Sequence, residues 1–474
     1  MTQPSLLPFW NWDNPKGGMI LPPIYADKNS PLYNPLRNSS HLPPTLVDLD
    51  YNNEDTKQSV GIIERNLITM YKQVVSLGKL PSLFMGSPYR AGNRPNTGAG
   101  SLEQKPHNTL HNWTGDITKP DGQDMGNFFT AGRDPIFFAH HANVDRMWNI
   151  WKTKVPDHVS QQTKEKYSRR RDFTDPDWLE SSFLFYDENK NLVRVKVKDC
   201  LDTTRMGYAF QKVDIPWLNS RPKPKILVPQ SSAPRLQPEK SVQPPSFILN
   251  SKTRIVVNRP RHSSPDAEEV LVIDIDCAGS EGGTKFDVII NDDGDDTIEP
   301  FHTQFAGSFV SLPHSPRSHD MEMLKAPLNI DCCPLRLGIT ELLEDLKAQN
   351  DENNCNPRML PSILAPFVML QNLAKETTML KKCYVLHVEA RPRGLADNKN
   401  LWCIGMLLQL PLVQDVTRKR KTSSMNVVAV WRLMGLAWVK PGSQELCWLG
   451  WLRDNLKKIE PLLPITLIMD NVEG

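Results

Sequence analysis

Apolar residues at Val60, Ile63, Leu67, Met70, Tyr71 and Val74 recur at three- and four-residue intervals. That is the period of one buried helix face, and it predicts a helix over 56–78 that stops at Gly78. The following SPYRAGNRPNTGAGSLEQKP is rich in Gly, Pro and Asn and predicts a long loop. Helical spacing returns in HNTLHNW and again in DPIFFAHHANVDRMWNIW. After a basic, polar stretch (KYSRRR), FLFYDENKNLVRVKV predicts two strands around the turn DENKN. TRIVVNRP, EEVLVIDIDCAG, TKFDVIIND and AGSFVSLP are short β-branched runs broken by turns, the pattern of an antiparallel sandwich. Between these regions, residues 216–246 are proline-rich and predict an extended linker that separates two cores.

Composition narrows the class of protein. A chain of 474 residues has room for two or three domains with sizeable cores. A net charge of +2 gives no bias toward nucleic acid or an anionic membrane. No run of about eighteen apolar residues occurs, so no membrane span is expected. The 40 prolines point to many loops and linkers. The 8 cysteines include no CxxC pair, are too few for a disulfide framework, and leave the redox compartment open.

The histidines change the picture most. His107 and His111 stand four apart in HNTLH, on one face of a helix and one turn apart. The second helical run carries adjacent His140 and His141, with Asp145 one turn beyond His141. Two imidazoles from one helix and a third from another make a three-nitrogen site suited to Cu, Zn, Fe or Ni. Periodicity does not choose between His140 and His141. Asp145 has two readings, a hydrogen-bond acceptor for a ligand imidazole or an ion-pair partner of Arg146. His41, in the proline-flanked SSHLPP, reads as a surface histidine. The acidic NDDGDD at 291–296 lacks the spacing and final Glu of a calcium loop and reads as a solvated hairpin tip.

HNTLHNWTGD followed by DMGNFFTAGRDPIFFAHHANVDRMWNIW resembles the second copper-binding half of plant polyphenol oxidases, the catechol oxidases of the tyrosinase superfamily. DWL at Asp177–Leu179 resembles the segment that follows the copper core in that family, and KFDV at Lys285–Val288 the signature of its C-terminal domain. The resemblance implies copper as cofactor, held by His107, His111 and, of the histidine pair, His141. His140 is then a packed or hydrogen-bonded core histidine. It implies that Glu103 holds a water near the copper, that Asn108 orients this water, and that Phe128 covers the copper and filters substrate. A solvated loop carboxylate and an ordinary core phenylalanine are the competing readings of Glu103 and Phe128.

The fold expected is a mainly α core, a partial type 3 copper helical bundle, followed by a β-sandwich C-terminal domain. Residues 1–155 form the copper core with its second copper half only, and 156–215 the DWL-type closing segment. After the 216–246 linker, 247–350 form the KFDV-type shielding domain, and 351–474 carry no family pattern. The first residues, TQPSLLPFWNWDNPKGG, resemble a segment that in the family lies inside the protein, downstream of a plastid transit peptide and of three more histidines. No leader is visible, and a fused or read-through transcript would account for both ends. The activity implied is copper-dependent oxidation of o-diphenols to o-quinones with O2, in the chloroplast thylakoid lumen. The partners expected are a small phenolic substrate and O2, with no nucleic acid and no membrane span. One three-histidine site handles one copper, so the alternative is an inactive single-copper remnant. An oxygen carrier also needs two coppers, and the plant-like segments oppose it. A zinc hydrolase lacks its HExxH arrangement.

Overall fold

The computed structural model describes residues 7–52, 61–88, 98–116, 118–119, 122–128, 130–154, 172–186, 190–225, 247–249, 253–257, 267–276, 284–290, 298–312, 333–346, 367–372 and 378–389. The expected helix start at 56–60, the KYSRRR stretch, most of the linker, NDDGDD at 291–296 and a basic TRKRK at 417–421 lie outside the described residues.

The helical core is built around one helix, Ile136–Thr153. Asp134 accepts a hydrogen bond from the Ile136 N–H at 3.0 Å and so satisfies one of the free donors of the first turn. The helix is buried almost all round, as expected of one in the middle of a bundle. Against it packs the π-helical turn Lys72–Ser76, which continues the predicted amphipathic helix Ile62–Tyr71. Phe84 stacks on Trp151 at 4.6 Å between ring centres, and the Trp151 indole donates to the Gly78 carbonyl at 2.5 Å. The proline-rich N-terminal segment cannot form long helices, yet it is core. Trp10 and Trp12 are buried, and the Trp10 N–H donates to the Ala139 carbonyl at 2.9 Å.

A buried polar network ties this segment to the central helix and to the Pro216–Asn219 turn at the start of the predicted linker. Asp13 accepts from Arg146 at 2.9 Å, Asn143 at 3.0 Å and the Trp217 indole at 2.8 Å. His41 corrects the surface reading: it is buried, stacked on Trp113 at 4.5 Å, with Nδ1 against the Trp113 carbonyl. A short polar-flanked loop can still pass through a core when an aromatic ring covers it.

The DWL segment forms the Pro176–Glu180 helix and the predicted hairpin, β1 (Ser182–Tyr186) against β2 (Leu192–Lys196). Further on come β3 (Phe247–Leu249), β4 (Thr253–Val256), β5 (Ala267–Asp276), β6 (Lys285–Ile290), β7 (Phe305–Val310), β8 (Cys333–Gly338), β9 (Phe367–Asn372) and β10 (Thr378–Glu389). They make two four-stranded sheets, ordered β3-β10-β5-β8 and β4-β9-β6-β7, with every pairing antiparallel. Leu271, Ile273 and Leu337 of one sheet share a core with Phe286, Val288 and Phe309 of the other. β8 is followed by the helix Thr340–Asp345.

The tail from 351 contributes more than the sequence reading allowed. Its strands β9 and β10 lie between other strands in both sheets. They carry no family motif, but the β-branched and aromatic run in CYVLHVE is what a paired strand needs. Among the described residues no helix is long and apolar enough to cross a membrane.

The KFDV motif now has a physical account. Phe286 and Val288 point into the shared core. Asp287 accepts from Ser308 on β7 at 2.5 Å. Lys285 reaches across to the helical core and donates to the Asp50 carbonyl at 2.8 Å. Asp50 also takes the buried ammonium of Lys105, while Lys72 donates to the carbonyls of Pro300, His302 and Phe305 at 2.9, 2.5 and 2.8 Å. Buried charges are tolerated only when so paired, so the two-sheet unit is fixed against the helical core.

Candidate metal centre

The predicted loop ends by residue 100, and helical turns begin at Ser101. A π-type turn over Glu103–Asn108 runs into the helix Thr109–Thr114, which places His107 and His111 on adjacent turns. The Ile136–Thr153 helix supplies His140 and His141 from the facing side. All four imidazoles are buried, and their candidate ligand atoms lie within 4.8 Å of one another.

Three of them converge through the same atom. Nε2 of His107 stands 3.2 Å from Nε2 of His111 and 3.2 Å from that of His141, and the remaining side of the triangle is 3.1 Å. Imidazoles bound tetrahedrally to a first-row ion at about 2.0–2.1 Å put their nitrogens about 3.3 Å apart. The outer nitrogens set the tautomers. His111 Nδ1 donates to the Met125 carbonyl at 2.9 Å, which leaves the Nε2 lone pair facing inward. His107 Nδ1 meets Asn108 Oδ1 at 2.9 Å, an oxygen that only accepts, with the same result. Inward lone pairs at this spacing repel one another, and a bound cation removes the repulsion. The donor set therefore fits a transition metal, copper included.

His140 is placed differently. Its Nδ1 accepts from the Trp12 indole at 3.1 Å, which puts its own proton on Nε2. The structure thus brings His107, His111 and His141 together through Nε2 and sets His140 beside them in a hydrogen-bonded, packed position. Gly115 holds the loop that delivers Met125: a Cβ there would meet the Gly126 nitrogen at 2.4 Å.

Burial also sets the protonation of the cluster. It holds His107, His140 and His141 well below the usual histidine range, with neighbouring imidazoles adding to the effect. Burial lowers His111 to about 4. The imidazoles are neutral at pH 7, as metal ligands must be. The unfolded chain takes up protons near the ordinary value of about 6.5, before the folded chain does. Stability is therefore intact above about pH 6.5 and is lost as the pH falls toward the folded values, by up to about 1.4 kcal/mol per histidine per pH unit. The urea midpoint of the metal-free chain, followed from pH 7 to 4.5, is expected to fall steeply. A flat midpoint would show that these groups are already charged when folded.

The other expected residues are distributed as follows. Glu103 lies in the first turn before His107, partly buried, not in a solvated loop. Burial pushes its carboxyl well above the usual range, against a lowering hydrogen bond from the Gly100 backbone. Asn108 touches His107 through Oδ1, and its amide donates to the Val310 carbonyl at 2.8 Å. Phe128 is half-buried in the stretch before the central helix. Phe137 packs on the histidines, 4.3 Å from the His141 ring and 5.9 Å from that of His111. The sequence reading passed over Phe137, although its place one turn before His141 on the same helix face was a usable signal. Asp145 accepts the Tyr208 hydroxyl at 2.5 Å, and Arg146 pairs with Asp13.

The fold and the histidine cluster define a class that comparison with known proteins identifies. The common central domain of tyrosinase matches residues 3–154, the polyphenol oxidase middle domain 172–223, and the chloroplastic polyphenol oxidase C-terminal domain 245–355. These are the segments of a tyrosinase-type copper protein, in order. Latent apple tyrosinase, a solved structure, is 44% identical and superposes with a TM-score of 0.65, covering 81% of this chain and 77% of its own. A chloroplastic polyphenol oxidase of Malus domestica is 48% identical over 366 residues, and aureusidin synthase of Antirrhinum majus 45% over 360. Each match takes in 73% of this chain, and the chain spans 58% and 60% of those relatives. The chain belongs to the plant polyphenol oxidases of the tyrosinase superfamily.

Proposed function

We propose that this chain supplies the second-copper half of a catechol oxidase, which converts o-diphenols to o-quinones with O2. The observation that carries the proposal is the buried triangle of His107, His111 and His141 Nε2 atoms. Copper supplies the redox chemistry, since each turnover removes two electrons and two protons from a catechol and four electrons reduce one O2 to water. The chain's residues do the rest. The three histidines hold the ion in a site shielded from solvent. Glu103 has a raised proton affinity, which suits a carboxylate that takes a proton from a phenol near neutral pH. Phe128 and Phe137 bound the substrate side, and Asn108 fixes His107.

We read residues 1–155 as the copper core, 156–215 as its closing segment and 216–246 as the linker. The two sheets form a β-sandwich that shields the core, and it extends past the predicted end at 350 to the strands at 367–389. The chloroplast is proposed from the names of relatives such as the apple enzyme, and the thylakoid lumen as compartment from the family resemblance alone.

A second reading rests on the same cluster. It is the one group of three or more candidate ligands among the described residues. On that count the isolated polypeptide is a single-copper protein without oxidase activity.

Elemental analysis of the copper-loaded chain, run beside a 4-methylcatechol oxidation assay, separates the two. Two coppers per chain with quinone formation support the oxidase. One copper without quinone supports the second reading. A chain that takes no copper would sink both.

A further inference from the structure

The sheet β4-β9-β6-β7 ends on β7, whose outer edge has no strand beside it among the described residues. Such an edge needs a cover. At Val310 the cover comes from the metal-bearing turn. The Val310 N–H donates to Gln104 Oε1 at 2.5 Å, and the Val310 carbonyl accepts from Asn108 Nδ2 at 2.8 Å. Gln104, Asn108 and Val310 are all buried. Two side-chain amides, on either side of His107, thus stand in for the next strand.

This contact has a chemical consequence for the ligand. A carbonyl accepts and never donates, so Val310 obliges Asn108 to present its NH2 to the strand. The Asn108 oxygen must then face His107 Nδ1, and an oxygen there requires the proton on Nδ1. The lone pair that remains is on Nε2, where His111 and His141 converge.

We infer that the edge of β7 fixes the tautomer of His107 through Asn108, which makes Asn108 a positioning residue coupling the docked two-sheet unit to metal binding. The inference rests on the copper-site reading above. Coupling of this kind is reciprocal: if docking favours the metal, the metal favours docking by the same factor.

The test uses the full chain and copper(II), with hydrogen exchange followed over the peptide 305–312. Copper loading is expected to slow exchange there by about tenfold, and Asn108→Leu to weaken copper binding by about the same factor and abolish the slowing. Asn108→Asp keeps an acceptor for His107 but donates nothing to Val310. It is expected to keep His107 as the Nδ1–H tautomer in the histidine 15N shifts while losing the copper response at 305–312. In the metal-free chain, histidine 15N shifts should report His107 as the Nδ1–H tautomer. Unchanged exchange at 305–312 in an unmodified chain that does bind copper overturns the inference and leaves the copper site standing, even if the Asn108 variants do not fold. So does undiminished affinity in Asn108→Leu. No copper uptake by the unmodified chain overturns both.

Discussion

Copper(II) binding to a His141→Ala chain is expected to fall by more than about 100-fold, because loss of a mere hydrogen-bond partner of a ligand already weakens metal sites by about 10–100-fold. The substitution removes one corner of the Nε2 triangle and leaves the other two 3.2 Å apart. His140→Ala is the control. Its Nδ1 is engaged with Trp12, so its loss should disturb packing more than affinity. Competition against a chelator of known affinity reads both. Equal losses in the two variants would mean that His140 is a ligand and that the choice between the paired histidines is wrong.

The second large effect is expected far from the metal. Asp13→Ala leaves Arg146 buried without its carboxylate, and removes the acceptor for Asn143 and the Trp217 indole. Breaking one side of a buried ion pair destabilises by about 3–5 kcal/mol. Urea unfolding of the metal-free chain measures this, and a change below about 1 kcal/mol would show that water or a neighbouring donor compensates.

The sequence made some of this legible and hid the rest for physical reasons. The Ile62–Tyr71 helix, the β1-β2 hairpin and strands β5 to β7 were readable because one or both faces are buried, which writes a period into the chain. HNTLH and the histidine pair were readable because helical spacing turns sequence separation into shared facing. What stayed hidden were contacts between distant segments. Asp13 reaching Arg146, Trp12 choosing the tautomer of His140, and Val310 meeting Asn108 join residues 133, 128 and 202 apart. Nothing local marks such pairs. His41 misled because its neighbours are loop formers, and burial there depends on the Trp113 ring. The strands at 367–372 and 378–389 were missed for another reason: the family motifs end before them, and the β-branched and aromatic run in CYVLHVE went unused.

The placement of those last strands bears on synthesis. A ribosome delivers the chain from its N-terminus at roughly 5–20 residues per second. β3 pairs with β10, and β4 with β9. Every residue through Leu370 must therefore leave the exit tunnel before β4 gains its partner, and every residue through Leu380 before β3 does. The helical core can collapse while translation continues, but the two-sheet unit waits, with its unpaired strands open to neighbouring nascent chains on the same polysome.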